Sequence, residues 1–182
     1  MAVINGRGKN GSIGIDMKNT DVSLRCNLVT LTDEAAYEDK TIVDYCAGDI
    51  STEDAKVLVD YLAQNLDNEE FKLYSGVSYR HCLIWNNGTL DLGNITPPHD
   101  ITGKPVKDYV PTHPNAAKLY ELMQKSYTLL KDHPLNKARV EKESKGLIHA
   151  DVFDVSRAQY VVLPIVFKGD MPTIEWRESW TL

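Results

Sequence analysis

Three arginines, two histidines and an aspartate stand in this 182-residue sequence where packing alone gives no reason for them. Arg80 and His81 lie side by side within Val77–Trp85, a run of β-branched and aromatic residues that reads as a strand. Arg25 and Asn27 are two apart in Asp21–Leu31, so a strand there projects both from one face. His99 and Asp100 follow Pro97-Pro98, whose stiff backbone restricts where an imidazole and a carboxylate point. Arg139 closes the run Leu135-Asn136-Lys137-Ala138-Arg139. Guanidinium groups give paired, charge-assisted hydrogen bonds to oxyanions, each contributing about 1.5–3 kcal/mol. Three of them suffice for a phosphate or carboxylate. The chemistry expected is a pocket for a small phosphorylated acid, drawing on Arg25, Asn27, Tyr79, Arg80, His81, His99, Asp100 and Arg139.

Each of these residues also has a structural reading. Arg25 can pair with a surface carboxylate, His81 can be a satisfied core histidine, and Asp100 can cap a turn. His133, just before Pro134, suits a helix end, where the dipole favours a cation. A metal site from His81, His99, Asp100 and His133 is chemically possible, but no H-x-x-x-H spacing or cysteine pair supports it. No serine lies in a G-x-S-x-G elbow, and Cys26 and Cys82 lie inside apolar strands, where thiols are usually inert.

The elements that must position these groups follow from periodicity. Val22, Leu24, Cys26 and Leu28 alternate with Ser23, Arg25, Asn27 and Val29, the pattern of a strand. Thr41–Tyr45 and Phe71–Tyr74 read as further short strands. Ser51-Thr52-Glu53-Asp54 opens a helix whose buried stripe is Ala55, Leu58, Val59, Leu62, Ala63 and Leu66. Asn86-Asn87-Gly88 predicts a tight hairpin after the Val77–Trp85 strand. A second helix is expected from about Asn115 to His133, ended by Pro134. Tyr160–Phe167 is an apolar run compatible with a strand. The fold class expected is α/β, with α+β as the alternative: one domain, a mixed β-sheet with helices packed against it.

Gly6-Arg7-Gly8-Lys9-Asn10-Gly11 matches G-x-G-x-x-G on paper, but no strand precedes it and no helix opens after it, so it is not read as a phosphate loop. Residues 1–11 are expected to be a loosely structured segment. A net charge of −6 excludes nucleic acid as a general partner, because phosphate backbones select basic surfaces. Three cysteines without a C-x-x-C pair suggest a reducing compartment. No apolar run reaches the roughly 20 residues of a membrane span, and the first residues lack the layout of a signal peptide. A cytoplasmic protein is expected, which leaves the sequons at Asn10, Asn87 and Asn94 without a role.

Taken in order, Asp21-Val-Ser-Leu-Arg-Cys-Asn-Leu-Val-Thr, Ile50-Ser-Thr-Glu-Asp-Ala, Gly76-Val-Ser-Tyr-Arg-His, Pro97-Pro-His-Asp-Ile and His133-Pro-Leu-Asn-Lys-Ala-Arg resemble successive motifs of archaeal-type, cofactor-independent phosphoglycerate mutases, members of the alkaline-phosphatase-like superfamily. The resemblance covers residues 12–146; residues 147–182 do not follow the family's pattern. It implies a domain inserted into a phosphatase-like core and closing over it. In that family the core carries two divalent metals (manganese, zinc or magnesium) and a serine that is transiently phosphorylated. The segments that hold them have no counterpart in this sequence, so the resemblance implies part of an isomerase that is not catalytic by itself. It implies phosphoglycerate as ligand and the core domain as partner. Arg25, Asn27, Tyr79, Arg80, His81, His99 and Arg139 become substrate contacts, and Asp100 the group that handles the hydroxyl proton. The alternative is a stand-alone binding module for a phosphorylated metabolite or a partner protein.

Overall fold

The alternating Asp21–Leu31 stretch forms the longest strand, β1 (Val22–Leu31), in the computed structural model of the chain, which describes residues 15–143, 149–157, 165–168 and 171–174. Nearly every residue of β1 is buried, so it runs through the middle of the molecule. Then follow β2 (Ile42–Asp44), α1 (Thr52–Leu66), β3 (Phe71–Tyr74) and β4 (Arg80–Trp85). After a long connection come α2 (Ala117–Leu130), α3 (Pro134–Glu143), β5 (His149–Arg157) and a small hairpin of β6 (Ile165–Lys168) and β7 (Met171–Ile174). The Gly6–Gly11 segment lies outside the described residues, as do most of the residues from 158 onward.

β1 pairs with β4 over residues 22–27, with β2 at residues 30 and 31, and with β5 over residues 24–31. Because β5 overlaps both other partners, β4 and β2 must share one edge of β1 while β5 takes the opposite edge. β3 then adds outside β4. The expected single domain, a sheet with helices packed against it, is present. Every described strand pair is antiparallel, which puts the architecture on the α+β side of the expectation.

Period-2 geometry divides β4 between two apolar clusters. Leu83 and Trp85 join the main core with the buried stripes of α1 (Ala55, Leu58, Val59, Leu62) and α2 (Leu119, Leu122, Met123, Leu130). Cys82 and Ile84 point the other way, onto Ile15 and Met17. α1 starts where its cap signal stands: the Ser51 hydroxyl accepts the Asp54 N–H at 3.0 Å, with Glu53 and Asp54 in the first turn. A cap of this kind contributes about 1 kcal/mol.

Three expectations need correction. The strand of Val77–Trp85 begins only at Arg80, because Val77–Tyr79 is drawn into a turn by tethers described below. Asn86-Asn87-Gly88 does reverse the chain, with Asn87 at φ +51° and the Gly88 N–H donating to the Trp85 carbonyl at 3.2 Å. No return strand follows, however, since β1 and β3 already occupy both edges of β4. The second helix stops at Leu130, and Pro134 opens another helix, α3, as a first-turn proline. His133 caps that helix rather than ending the previous one: its Nδ1 accepts the Leu135 N–H at 3.2 Å.

The outer side of β3 is occupied by the loop that leads into it. Asn68 donates its N–H to the Phe71 carbonyl at 2.9 Å and accepts the Phe71 N–H on Oδ1 at 2.9 Å. The Asp67 carboxylate accepts the Leu73 N–H at 2.8 Å.

Candidate anion site on the β1–β4 face

The antiparallel register pairs Arg25 with Cys82 and Asn27 with Arg80. Directly opposed residues share a sheet face, so Arg25, Asn27 and Arg80 stand together, with the two arginines diagonal to one another at about 7–8 Å for such positions. Residues 55 apart in sequence thus converge, as an oxyanion site requires. His81 is not with them. It pairs with Cys26 on the opposite face and is almost wholly buried. The pleat separates neighbours that sequence proximity puts in one group.

His81 has a different task. Its Nδ1 accepts the Gly76 N–H at 3.1 Å, which leaves the proton on Nε2. Burial pushes its pKa down to about 3, so the ring is neutral. Nε2 is buried without a hydrogen-bond partner among the described residues. The imidazole anchors the start of the turn that delivers Tyr79 and Arg80.

That turn is held from a distance. The Ser78 hydroxyl donates to the Ile50 carbonyl at 2.8 Å, and the Ser78 N–H donates to the Thr52 hydroxyl at 3.1 Å. Ser78 sits at φ +52°, a left-handed conformation costing a non-glycine residue roughly 1–2 kcal/mol. Two hydrogen bonds at about 1 kcal/mol each offset it. Beyond the turn, Arg80 Nη2 donates to the Tyr79 phenol oxygen at 2.6 Å, and its guanidinium carbon lies 4.5 Å from that ring's centroid. Tyr79 meets Tyr45 edge-on at 5.8 Å, and Tyr45 meets His99 edge-on at 6.3 Å. His99 Nε2 is 3.4 Å from Asp100 Oδ1, with both side chains about half exposed. A strip therefore runs from Arg80 through two tyrosines to an exposed imidazole and carboxylate, where a proton can be exchanged with a ligand.

Tyr45 opens the loop that the sequence reading missed. Ala47, Gly48 and Asp49 follow it at φ +51°, +64° and +52°. The Asp44 carboxylate holds the turn by accepting the Cys46 N–H at 3.1 Å and the Gly48 N–H at 2.6 Å. The Cys46 thiol also donates to it, at 3.0 Å to Oδ1. Burial raises the Asp44 pKa, but the hydrogen bonds from Cys46, Gly48 and Tyr45 outweigh it and the net shift is downward. Burial, together with the Asp44 carboxylate, pushes the Cys46 thiol up to about 12. Two expected contacts bind this loop. Asn27 Nδ2 reaches the Tyr45 carbonyl at 3.5 Å, and Arg139 Nη2 donates to the Ala47 carbonyl at 2.6 Å. The signal for the loop was present as an aspartate four residues before a glycine, the pattern of a side-chain-capped turn.

Among the described residues, no group of three or more His, Cys, Asp or Glu side chains is placed to hold a metal ion. His81 and His133 are each engaged elsewhere, so the metal set considered from sequence does not assemble. This face instead carries two arginines, with aromatic rings and an exposed imidazole–carboxylate pair beside them. No described helix is long and apolar enough to cross a membrane.

The fold and candidate site are thus an antiparallel sheet carrying Arg25, Asn27 and Arg80 on one face, with an exposed His99-Asp100 pair reached through Tyr79 and Tyr45. Residues 3–136 match the family model of 2,3-bisphosphoglycerate-independent phosphoglycerate mutase, and the chain belongs to that family. The 2,3-bisphosphoglycerate-independent phosphoglycerate mutase of Methanosarcina barkeri is 41% identical over 131 residues, which are 72% of this chain and 31% of that protein. Enzyme 1 of that name from Archaeoglobus fulgidus is 35% identical over 155 residues, 80% of this chain and 36% of that one. The chain therefore spans about a third of the length of the curated relatives it matches. Among solved structures, the cofactor-independent phosphoglycerate mutase from Thermoplasma acidophilum superposes with a TM-score of 0.54 at 27% identity, covering 76% of this chain and 37% of that chain. A Pyrococcus horikoshii protein shares the fold at a TM-score of 0.50 and 19% identity, over 86% of this chain and 32% of its own.

Proposed function

We propose that this chain is the substrate-holding part of a cofactor-independent phosphoglycerate mutase and that it works in the cytoplasm. Its ligand is 3- or 2-phosphoglycerate, a small acid bearing one phosphate and one carboxylate. Arg25 and Arg80 grip the anionic groups, the Tyr79 ring fixes the plane of the Arg80 guanidinium, and Asp100 with His99 handles the hydroxyl proton. Asn27, His81 and Arg139 serve the same site through the backbone segments they hold. The single observation carrying this reading is the strand register that sets Arg25 and Arg80 on one face, beside the strip that ends at His99-Asp100. Two charge-assisted arginine contacts supply about 3–6 kcal/mol, enough to hold an anion but not to move its phosphate.

The two divalent metals implied by the family resemblance belong with the remaining two-thirds of such an enzyme. They would supply electrostatic stabilisation of the transferring phosphoryl group, and the described residues of this chain do not fit them. The chain alone is therefore expected to bind without turnover. The test replaces the matched stretch of the Methanosarcina barkeri enzyme with residues 15–143 of this chain and measures 3- to 2-phosphoglycerate conversion. Activity that falls at least 100-fold on Arg80→Ala supports the reading; an active hybrid indifferent to Arg80→Ala overturns it. Calorimetric titration of the chain alone adds a second arm. Weak binding fits a half-site, whereas tight binding without a core marks a stand-alone module.

A further inference from the structure

Of the candidate anion-site residues, Asn27 is 1% exposed, so a ligand cannot reach its amide without displacing the protein around it. Its Nδ2 faces the Tyr45 carbonyl, and Arg139 donates to the carbonyl two residues further on. These groups come from β1 and from α3 and meet on one loop. The loop is an unusual object: three consecutive left-handed residues, two of them non-glycine, closed by the Asp44 carboxylate. A left-handed alanine is a conformation the chain leaves unless something holds it, and aspartate, which tolerates it better, still adopts it less freely than glycine. Tyr45 stands at its start, 39% exposed, with its ring edge-on to Tyr79 on one side and His99 on the other. Tyr79 in turn carries Arg80.

We infer that the Asp44–Ile50 loop is the aiming device of this site: Tyr45 is the wedge that sets the spacing between Arg80 and His99, and Asn27 and Arg139 are positioning residues that act through the loop. This rests on the proposed phosphoglycerate reading for its purpose, but not for its geometry. Arg80 touches the ligand; Arg139 decides where Tyr45, and through it Arg80, stands. A loop strained toward right-handed backbone springs away when its clamp is cut. A glycine inside it removes that strain and makes the clamp less necessary.

The experiment uses the full chain and reads the loop directly, before any ligand is added. In aromatic-edited NMR spectra, wild type shows ring-to-ring cross-peaks from Tyr45 to Tyr79 and to His99. Arg139→Met is expected to lose both, Arg139→Lys to keep them, and the double variant Arg139→Met with Asp49→Gly to regain them, because Asp49 is exposed and left-handed. Titration with 3-phosphoglycerate then reads the consequence. Tyr45→Ala and Arg139→Met weaken binding about tenfold, Tyr45→Phe stays within twofold, and Asp49→Gly restores at least threefold to the Arg139→Met protein. Cross-peaks that survive Arg139→Met, or a binding loss that the glycine does not rescue, overturn the positioning role and make Arg139 a direct contact or an idle one. If the cross-peaks behave as expected while wild type binds no phosphoglycerate, the aiming device stands and the ligand assignment is what fails.

Discussion

The two ends of β4 solve the same backbone problem with different chemistry. Both turns need a non-glycine residue in the left-handed region, Ser78 before the strand at φ +52° and Asn87 after it at φ +51°. Asparagine tolerates that conformation better than serine does, and Asn87 also donates its N–H to Asp21 Oδ1 at 3.2 Å and accepts the Thr20 hydroxyl at 2.8 Å. Serine has no such preference, so Ser78 is held there by Ile50 and Thr52, 28 and 26 positions away, while His81 fixes Gly76 in front of it. Both turns carry long-range tethers, but one has a residue suited to its conformation and reverses the chain, while the other relies on its tethers and delivers Tyr79 and Arg80. The residue without a preference of its own for the left-handed region is found at the end of the strand that carries the candidate site.

Acid offers the largest separation between the two ends. His81 has a folded pKa of about 3, against 6.5 ordinarily, so below pH 6.5 the unfolded state takes up a proton that the folded state refuses. Its contribution to stability is fully present above pH 6.5 and is lost as pH falls toward about 3, with a limiting slope of about 1.4 kcal/mol per pH unit. Urea midpoints measured between pH 7 and pH 4 should show this slope for wild type and a flatter one for His81→Leu. Equal slopes would remove His81 as the acid-sensitive anchor.

Next in size is Ser78→Val, which forces a β-branched residue into the left-handed region and removes the bond to Ile50. A loss of about 2–3 kcal/mol in denaturant unfolding is expected, together with weaker phosphoglycerate binding. At the other end, a Cβ on Gly88 would meet the Trp85 ring at 2.7 Å, so Gly88→Ala should cost about 1–3 kcal/mol through displacement of the indole, with anion binding unchanged. Glycine substitutions sharpen the comparison further. Ser78→Gly keeps the conformation and loses the part-buried bond to Ile50, for about 1 kcal/mol, while Asn87→Gly loses only the exposed bond from Thr20 and stays within about 0.5 kcal/mol. If both cost the same, the distinction between a turn that relies on its tethers and one whose residue tolerates the conformation disappears. The smallest effect is chemical: Cys46, whose thiol is pushed up to about 12, should react with iodoacetamide at pH 8 far more slowly than a free thiol, and faster in Asp44→Asn.

The same contrast explains what could be read from sequence. α1 was legible because its cap, acidic first turn and apolar stripe are all contiguous, and β1 because alternation survives even in a strand buried on both faces. The Asn87 turn was legible for the reason given above, although its expected return strand was not excluded by anything local. That exclusion comes from β1 and β3, which lie far away in the chain. α3 was hidden because Pro134 was read only as a stop, whereas a proline in a first turn is equally a start. At the site, residue types grouped Arg25, Asn27 and Arg80, and the register brings them onto one face. His81 was grouped with Arg80 by adjacency, which a pleated strand contradicts. Asp44, Tyr45 and Ser78 went unnoticed, since their importance lies in what they hold.

The Asn68 and Asp67 side chains lying along the outer side of β3 have one further consequence. A sheet exposing a free margin invites a strand from another molecule to zip onto it, the first step toward fibrils. Here the Phe71 N–H and carbonyl and the Leu73 N–H, which would welcome such a visitor, are taken by the chain's own preceding loop. Asparagine and aspartate at these two positions thus act as a lock against self-templating. Replacing Asn68 by valine would open it, and light scattering of concentrated protein is where the breach would first be seen.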